Sequence, residues 1–206
     1  MPNDKGGSKI RIAELGDAQA ILDIYAPYIE QTAITFTSTV PEMEDVARTM
    51  LDIKKRYPYL VCCINDAVVG FAYAYWMRPH DAYRWNAELA VYISPDYHGR
   101  GIATALYTAL FPILKAQGFC NVYAVITLPN EASVALHQHF GFTESCVQRE
   151  AGYKLGAWRD VLWMEYRIPG SVDPEVHGVP LPLCDINQNE VETALAVASA
   201  LLKGAQ

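Results

Sequence analysis

The segment Tyr97-His98-Gly99-Arg100-Gly101-Ile102-Ala103 carries the plainest chemistry in the chain. Its two glycines let the backbone turn so that successive amide N–H groups converge. A helix starting directly after them adds free donors and a partial positive charge. Such a turn is a cradle for a phosphate or pyrophosphate, and Arg100 can add a full charge. It is not a Walker loop, because no Gly-Lys-Ser/Thr follows, and it does not match GxGxxG. Upstream stands Glu88, in the aromatic company of Trp85 and Tyr92. Burial in such surroundings raises a carboxyl toward a range useful for accepting protons. Downstream, Ser133 and His137 are spaced to share one helix face, after Asn130 as a natural cap.

These groups need elements to position them. Residues 10–13 read as a short strand, and Asp17 as the cap of a helix with Ala20, Ile21, Ile24, Tyr25, Tyr28 and Ile29 on one stripe. Residues 32–39 are strand-like or an extended loop. Pro41 then opens a second helix, with Val46, Met50 and Ile53 inward. Residues 59–64 and 68–76 read as a hairpin about Asn65-Asp66, and residues 85–94 as a third strand of the meander. Residues 102–117 form the helix behind the glycine turn, ended by Gly118. A strand at 121–128, a short helix at 131–140 and a last strand at 161–168 complete a mixed α/β domain with a largely antiparallel first half. Residues 169–188 are rich in Pro, Gly, Asp and Asn and read as a linker or draped loop. An apolar helix at 190–203, with Gly204 as its stop, packs on its own domain or on a second copy.

Composition narrows the function. With 206 residues, 51% hydrophobic and 19% charged, the chain can bury a full core and is not disordered. A net charge of -7 without a basic tract argues against sequence-independent nucleic-acid binding. The five cysteines are odd in number and lack metal-ligand or CxxC spacing. That points to idle thiols, no metal and a reducing, cytoplasmic setting. No signal-like apolar core opens the chain, and no apolar run nears the roughly 20 residues that span a bilayer.

With these residues in view, the sequence resembles the GNAT superfamily of acetyltransferases. Residues 98–103 stand where that family has Gln/Arg-x-x-Gly-x-Gly/Ala; Gly101 and Ala103 match, and His98 departs. Asn130, Ser133, Ala135-Leu136-His137 and Gly141-Phe142 match a second stretch. The likeness is closer to the phosphinothricin and methionine-sulfoximine N-acetyltransferase branch, through Ala72-Tyr73-Ala74, Ala82-Tyr83, Ala87-Glu88, Val91-Tyr92-Ile93-Ser94, Leu128-Pro129-Asn130 and Gly152-Tyr153-Lys154.

The resemblance implies an α/β GNAT fold over residues 8–168, its mixed sheet splayed at the acetyl-CoA site, with residues 169–206 as an extension. It implies acetyl-CoA as co-substrate, a small amine as acceptor and a homodimer. Glu88 is then the general base, and His137 or Tyr107 the acid for the departing thiolate. Val91, Tyr92 and Ile93 face the pantetheine arm; His98, Gly99, Arg100, Gly101, Ile102 and Ala103 face the pyrophosphate; Asn130 and Ser133 face the CoA arm. Phe36, Arg78, His80, Tyr83, Lys154 and Val161 occupy the acceptor loops. An acetyltransferase for another amine, or an acetyl-CoA sensor without activity, are the rival readings.

Overall fold

The computed structural model describes residues 7–170, 175 and 178–202. Seven strands form one sheet in the order β1-β2-β3-β4-β5-β7-β6. They are β1 (Lys9–Ile12), β2 (Tyr59–Ile64), β3 (Ala67–Trp76), β4 (Asn86–Ile93), β5 (Asn121–Thr127), β6 (Thr143–Lys154) and β7 (Ala157–Arg167). Neighbours are antiparallel except β4 and β5, which run parallel. The β2–β3 hairpin turns on Asn65 and Asp66, both at positive φ as its tight turn requires.

Helices cover both faces. α1 (Ala18–Gln31) and α2 (Met43–Lys54) bury Ile21, Ile24 and Met50 against Tyr59, Val61 and Phe71. α3 (Ile102–Gln117) fills the other face with Leu106, Leu110 and Leu114, against Ala87, Leu89 and Val122. α4 (Glu131–His139) follows β5. Period-two alternation along β4 therefore sends Glu88 and Tyr92 to the α1–α2 face, and Leu89 and Val91 to the α3 face.

Three local readings change. Asp17 stands at the N-cap position of α1, but its side chain makes no cap hydrogen bond there. It ends a single helical turn, Leu15–Asp17, where its carboxylate takes the Glu14 N–H at 2.7 Å and both Arg11 amino groups at 2.7 Å. Burial alone would raise the Asp17 carboxyl, but Arg11, Glu14 N–H and Lys54 together hold it below the usual carboxylate range. Of the two readings of residues 32–39, the loop holds. α2 starts at Met43 rather than Pro41, with Glu42 at its N-cap position. The last strand begins at Ala157, and β6, which no sequence pattern announced, pairs along it.

The C-terminal helix α5 (Gln188–Leu202) packs on its own chain. Val191, Ala194, Ala198 and Leu202 join the same core as α3. Ser199 Oγ accepts the Ile10 N–H of edge strand β1 at 2.9 Å, and Leu181 N–H and O pair with Gln117. The expected stop at Gly204 lies outside the described residues.

Candidate active site

The parallel β4–β5 ladder lasts three pairs: Asn86 with Asn121, Ala87 with Val122, and Glu88 with Tyr123. Beyond Glu88 the strands diverge, so Glu88 sits at the apex of a split in the sheet. Ser94 N–H donates to Val69 O at 2.8 Å. Alternation in the antiparallel β3–β4 ladder then turns the main-chain groups of Val91 and Ile93 away from β3, into the split. Main-chain groups without a ladder partner need another, and an extended, amide-bearing arm supplies one as an added strand. The Ile93 carbonyl is already taken: it accepts the Tyr28 hydroxyl at 2.6 Å, with His98 Nε2 at 3.1 Å. Val91 is the free rung.

A cavity of about 420 Å³ runs from the glycine turn to this split, lined by His98, Gly99, Gly101, Ala103, Asn130 and Ser133 among others. Gly99 and Gly101 have φ of 74° and 70°, so both need glycine's freedom. Gly101 is the N-cap of α3, which leaves the first N–H groups of the helix aimed at the cavity. Ile102 and Ala103 line it there. Arg100 turns elsewhere: its Nη2 donates to Asp96 O at 3.1 Å and its guanidinium lies 4.8 Å from the Tyr97 ring centre. Asn130 caps α4 by accepting Ser133 N–H at 3.2 Å.

A second cavity of about 600 Å³ shares Val91, Asn130 and Ser133 with the first and passes through the split. On the α1–α2 face it reaches Glu88. Burial pushes this carboxyl above the usual carboxylate range, while the Tyr75 hydroxyl and the Arg78 guanidinium pull it back. Tyr75 donates to Glu88 Oε1. Trp85, the expected neighbour, instead sends its indole N–H to Gly178 O. On the α3 face the cavity meets Tyr107 and His137. His137 is only 3% exposed, and burial lowers its pKa, so the ring is neutral near pH 7. Its Nδ1 stands 2.7 Å from Ser133 O, an acceptor only, so Nδ1 carries the hydrogen. Nε2 is then an acceptor and takes the Tyr107 hydroxyl at 3.1 Å. Burial also raises Tyr107, which stays protonated.

A family model for the acetyltransferase (GNAT) domain matches residues 10–163. The chain belongs to the GNAT acetyltransferase family. It is 37% identical to the phosphinothricin N-acetyltransferase of Streptomyces viridochromogenes over 176 residues, 84% of this chain and 96% of that one. It is 31% identical to the L-methionine sulfoximine/L-methionine sulfone acetyltransferase of Pseudomonas aeruginosa, over 78% of this chain and 95% of that one. The crystal structure of a GNAT phosphinothricin acetyltransferase from Sinorhizobium meliloti, in complex with acetyl-CoA, superposes with a TM-score of 0.79 at 32% identity, covering 84% of this chain and 95% of that one. The chain is an acetyl-CoA-dependent N-acetyltransferase.

The residues of this acetyltransferase expected around the acceptor divide. The Phe36 ring lies on Gly152, where a Cβ would come within 2.4 Å of it. Lys154 Nζ donates to Thr35 O at 2.7 Å, and burial lowers this amine. Both therefore hold the 32–39 loop, whose Thr35 and Thr37 line the larger cavity. Arg78 stands near enough to Glu88 to act on its charge, with its guanidinium 5.8 Å from the Trp163 ring centre. His80 and Tyr83 flank an exposed turn, and Val161 is buried opposite Thr127; none of the three lines the described cavity. Residues that the sequence did not assign to the site also line it: Tyr25, Tyr73 and Tyr75. Strand register brings Tyr73 and Tyr75 there, and the packing of α1 on the sheet brings Tyr25. Among the described residues, no helix is long and apolar enough to cross a membrane, and no three His, Cys, Asp or Glu side chains converge as metal ligands.

Proposed function

We propose that the enzyme acetylates the α-amine of a small amino acid analogue whose side chain carries no charge. The observation that carries this reading is the cavity through the sheet, with Glu88 on one face and Tyr107 and His137 on the other. Acetyl-CoA supplies the acyl group as a thioester. The glycine turn and the α3 N-terminus hold its pyrophosphate end, and Val91, Asn130 and Ser133 its arm. Glu88 takes a proton from the acceptor's ammonium and releases it to solvent; the freed amine attacks the thioester carbon. Val91 N–H faces the split, where the carbonyl oxygen gains charge. The nitrogen's second proton also leaves by Glu88. As sulfur departs, its charge outcompetes His137 Nε2 for the Tyr107 hydroxyl, which turns to it; the thiolate takes its proton from water. The balance is one ammonium and one thioester in, one amide, one thiol and one proton out. Holding both reactants together supplies roughly 7–11 kcal/mol of the barrier.

Charge selects the side chain. The cavity lining bears Glu88 and Asp52 and, among the described residues, no Lys or Arg. An adjoining chamber of about 240 Å³ is walled by Ile21, Met50, Phe71, Tyr73 and Tyr92 and adds only Asp45. Arg78, whose charge reaches Glu88, is a fitting partner for the α-carboxylate. A phosphinate placed inside meets no cation and loses its hydration. Measured by CoA release, methionine sulfone and methionine sulfoximine are expected to exceed phosphinothricin in kcat/KM by about tenfold or more. Phosphinothricin as the best acceptor would overturn the charge argument; no turnover with any small amine would sink the function itself.

The homodimer belongs to this reading too. Supporting it, edge strand β6 is exposed almost throughout, beside exposed Tyr153, Leu155 and Trp158. Light scattering is expected to give twice the chain mass, and a clean monomer refutes it. The five free cysteines support a reducing, cytoplasmic setting.

A further inference from the structure

Tyr75 on β3 stands directly opposite Glu88 on β4 in the antiparallel register, and both side chains emerge on the α1–α2 face. Its ring is one of a row: Tyr59 and Tyr73 stack with centres 4.7 Å apart, and Tyr73 and Tyr75 lie 5.6 Å apart. That row fixes where the Tyr75 hydroxyl points, and it points at Glu88 Oε1. We propose that Tyr75 is a positioning residue for acetyl transfer: its hydroxyl fixes the Glu88 carboxylate at the apex of the split and keeps it in the form that accepts the amine's proton. The proposal rests on Glu88 being the base.

The argument is one of competing demands. A carboxylate among aromatic rings loses hydration, and without a donor it takes up a proton and stops being a base. A cation bonded to it would prevent that, but would also repel the incoming ammonium; Arg78 reaches the carboxyl by its charge alone. A neutral hydroxyl donor stabilises the carboxylate without that repulsion and leaves the second oxygen, Oε2, to the amine. Tyr75 suits the part because burial, followed by the Glu88 charge, raises its own hydroxyl, so it remains a donor over the working pH range. The other titratable groups around Glu88 are Tyr73 on β3, Tyr92 on β4, Tyr25 on α1, Arg78 in the following loop and Tyr123 opposite on β5. Asp52 and Tyr57 share the cavity from α2 and its end, and Tyr107 and His137 face it across the split. Of these, Tyr75 is the side chain whose hydrogen bond to Glu88 is formed.

The test is kcat/KM against pH for the full chain, with acetyl-CoA saturating and methionine sulfone as acceptor. Wild type, Tyr75→Phe, Glu88→Gln and a protein with 3-fluorotyrosine at position 75 are compared. The acceptor's own ammonium gives one limb common to all four. The limb that Glu88→Gln lacks belongs to Glu88. Tyr75→Phe is expected to move that limb up by about one pH unit, with the loss of rate largest at low pH and shrinking as pH rises. Fluorotyrosine, a stronger donor of nearly the same shape, is expected to move it down. A Glu88 limb unmoved by either change overturns the role of Tyr75 while leaving the base reading intact. A wild-type limb persisting in Glu88→Gln overturns both. If Tyr75→Phe does not fold, the near-isosteric fluorotyrosine protein decides alone.

Discussion

Glu88→Gln is expected to lower kcat by about a hundred- to ten-thousand-fold, with little change in KM for acetyl-CoA. Glutamine keeps the side chain's shape and can still accept the Tyr75 hydrogen bond, but it cannot take a proton from an ammonium. In the proposed complex acetyl-CoA is held by the glycine turn, the α3 N-terminus and the Val91 rung, none of which the substitution touches. Burial raises the Glu88 carboxyl. A group whose folded pKa is raised destabilises the fold as pH climbs through that value, because the charged form is the costly one to bury. Glu88→Gln is therefore expected to melt at or above the wild-type temperature at neutral pH. Calorimetry beside a CoA-release assay separates lost chemistry from lost structure. A variant within a few-fold of wild-type kcat would remove Glu88 from the mechanism.

Gly101→Val is expected to raise KM for acetyl-CoA by about tenfold or more, from left-handed strain of roughly 1–2 kcal/mol and from loss of the amide cradle. Nothing lies within 4 Å of a Cβ built at Gly101, so crowding by neighbours is not the cause. The cost arises in the backbone, at φ 70°, where a β-branched residue is most strained. Relief of that strain re-aims the first N–H groups of α3 away from the cavity. Titration calorimetry with acetyl-CoA and with CoA should show the same weakening for both, since the pyrophosphate is common to them. Unchanged affinity would mean that the turn serves only to end a strand.

The strand, turn and helix around the phosphate cradle were legible because each has a local signature: a β-rich run, two glycines, and an apolar stripe closed by Gly118. Glu88 was singled out by its place before that turn, and it lines the larger cavity. Tyr75 was not, because its meaning lies in register with Glu88, and register is a property of two strands together. Strand β6 escaped for a related reason. It is exposed on nearly every residue, so it shows no buried alternation, and pairing with β7 makes it a strand. Asp17 was misread because its type suits a cap, whereas its partner, Arg11, comes from the preceding strand. The end of the β4–β5 ladder at Glu88 likewise follows from how two chain segments diverge, and no local residue type announces it.

The hydrogen bond from Ile10 N–H to Ser199 Oγ joins residues 189 positions apart. During synthesis the first strand leaves the ribosome long before its outer partner exists. Until α5 docks, β1 presents an open strand edge, the kind of surface on which nascent chains pair wrongly. The final helix thus acts as a late closing step, and truncated products are the species expected to aggregate.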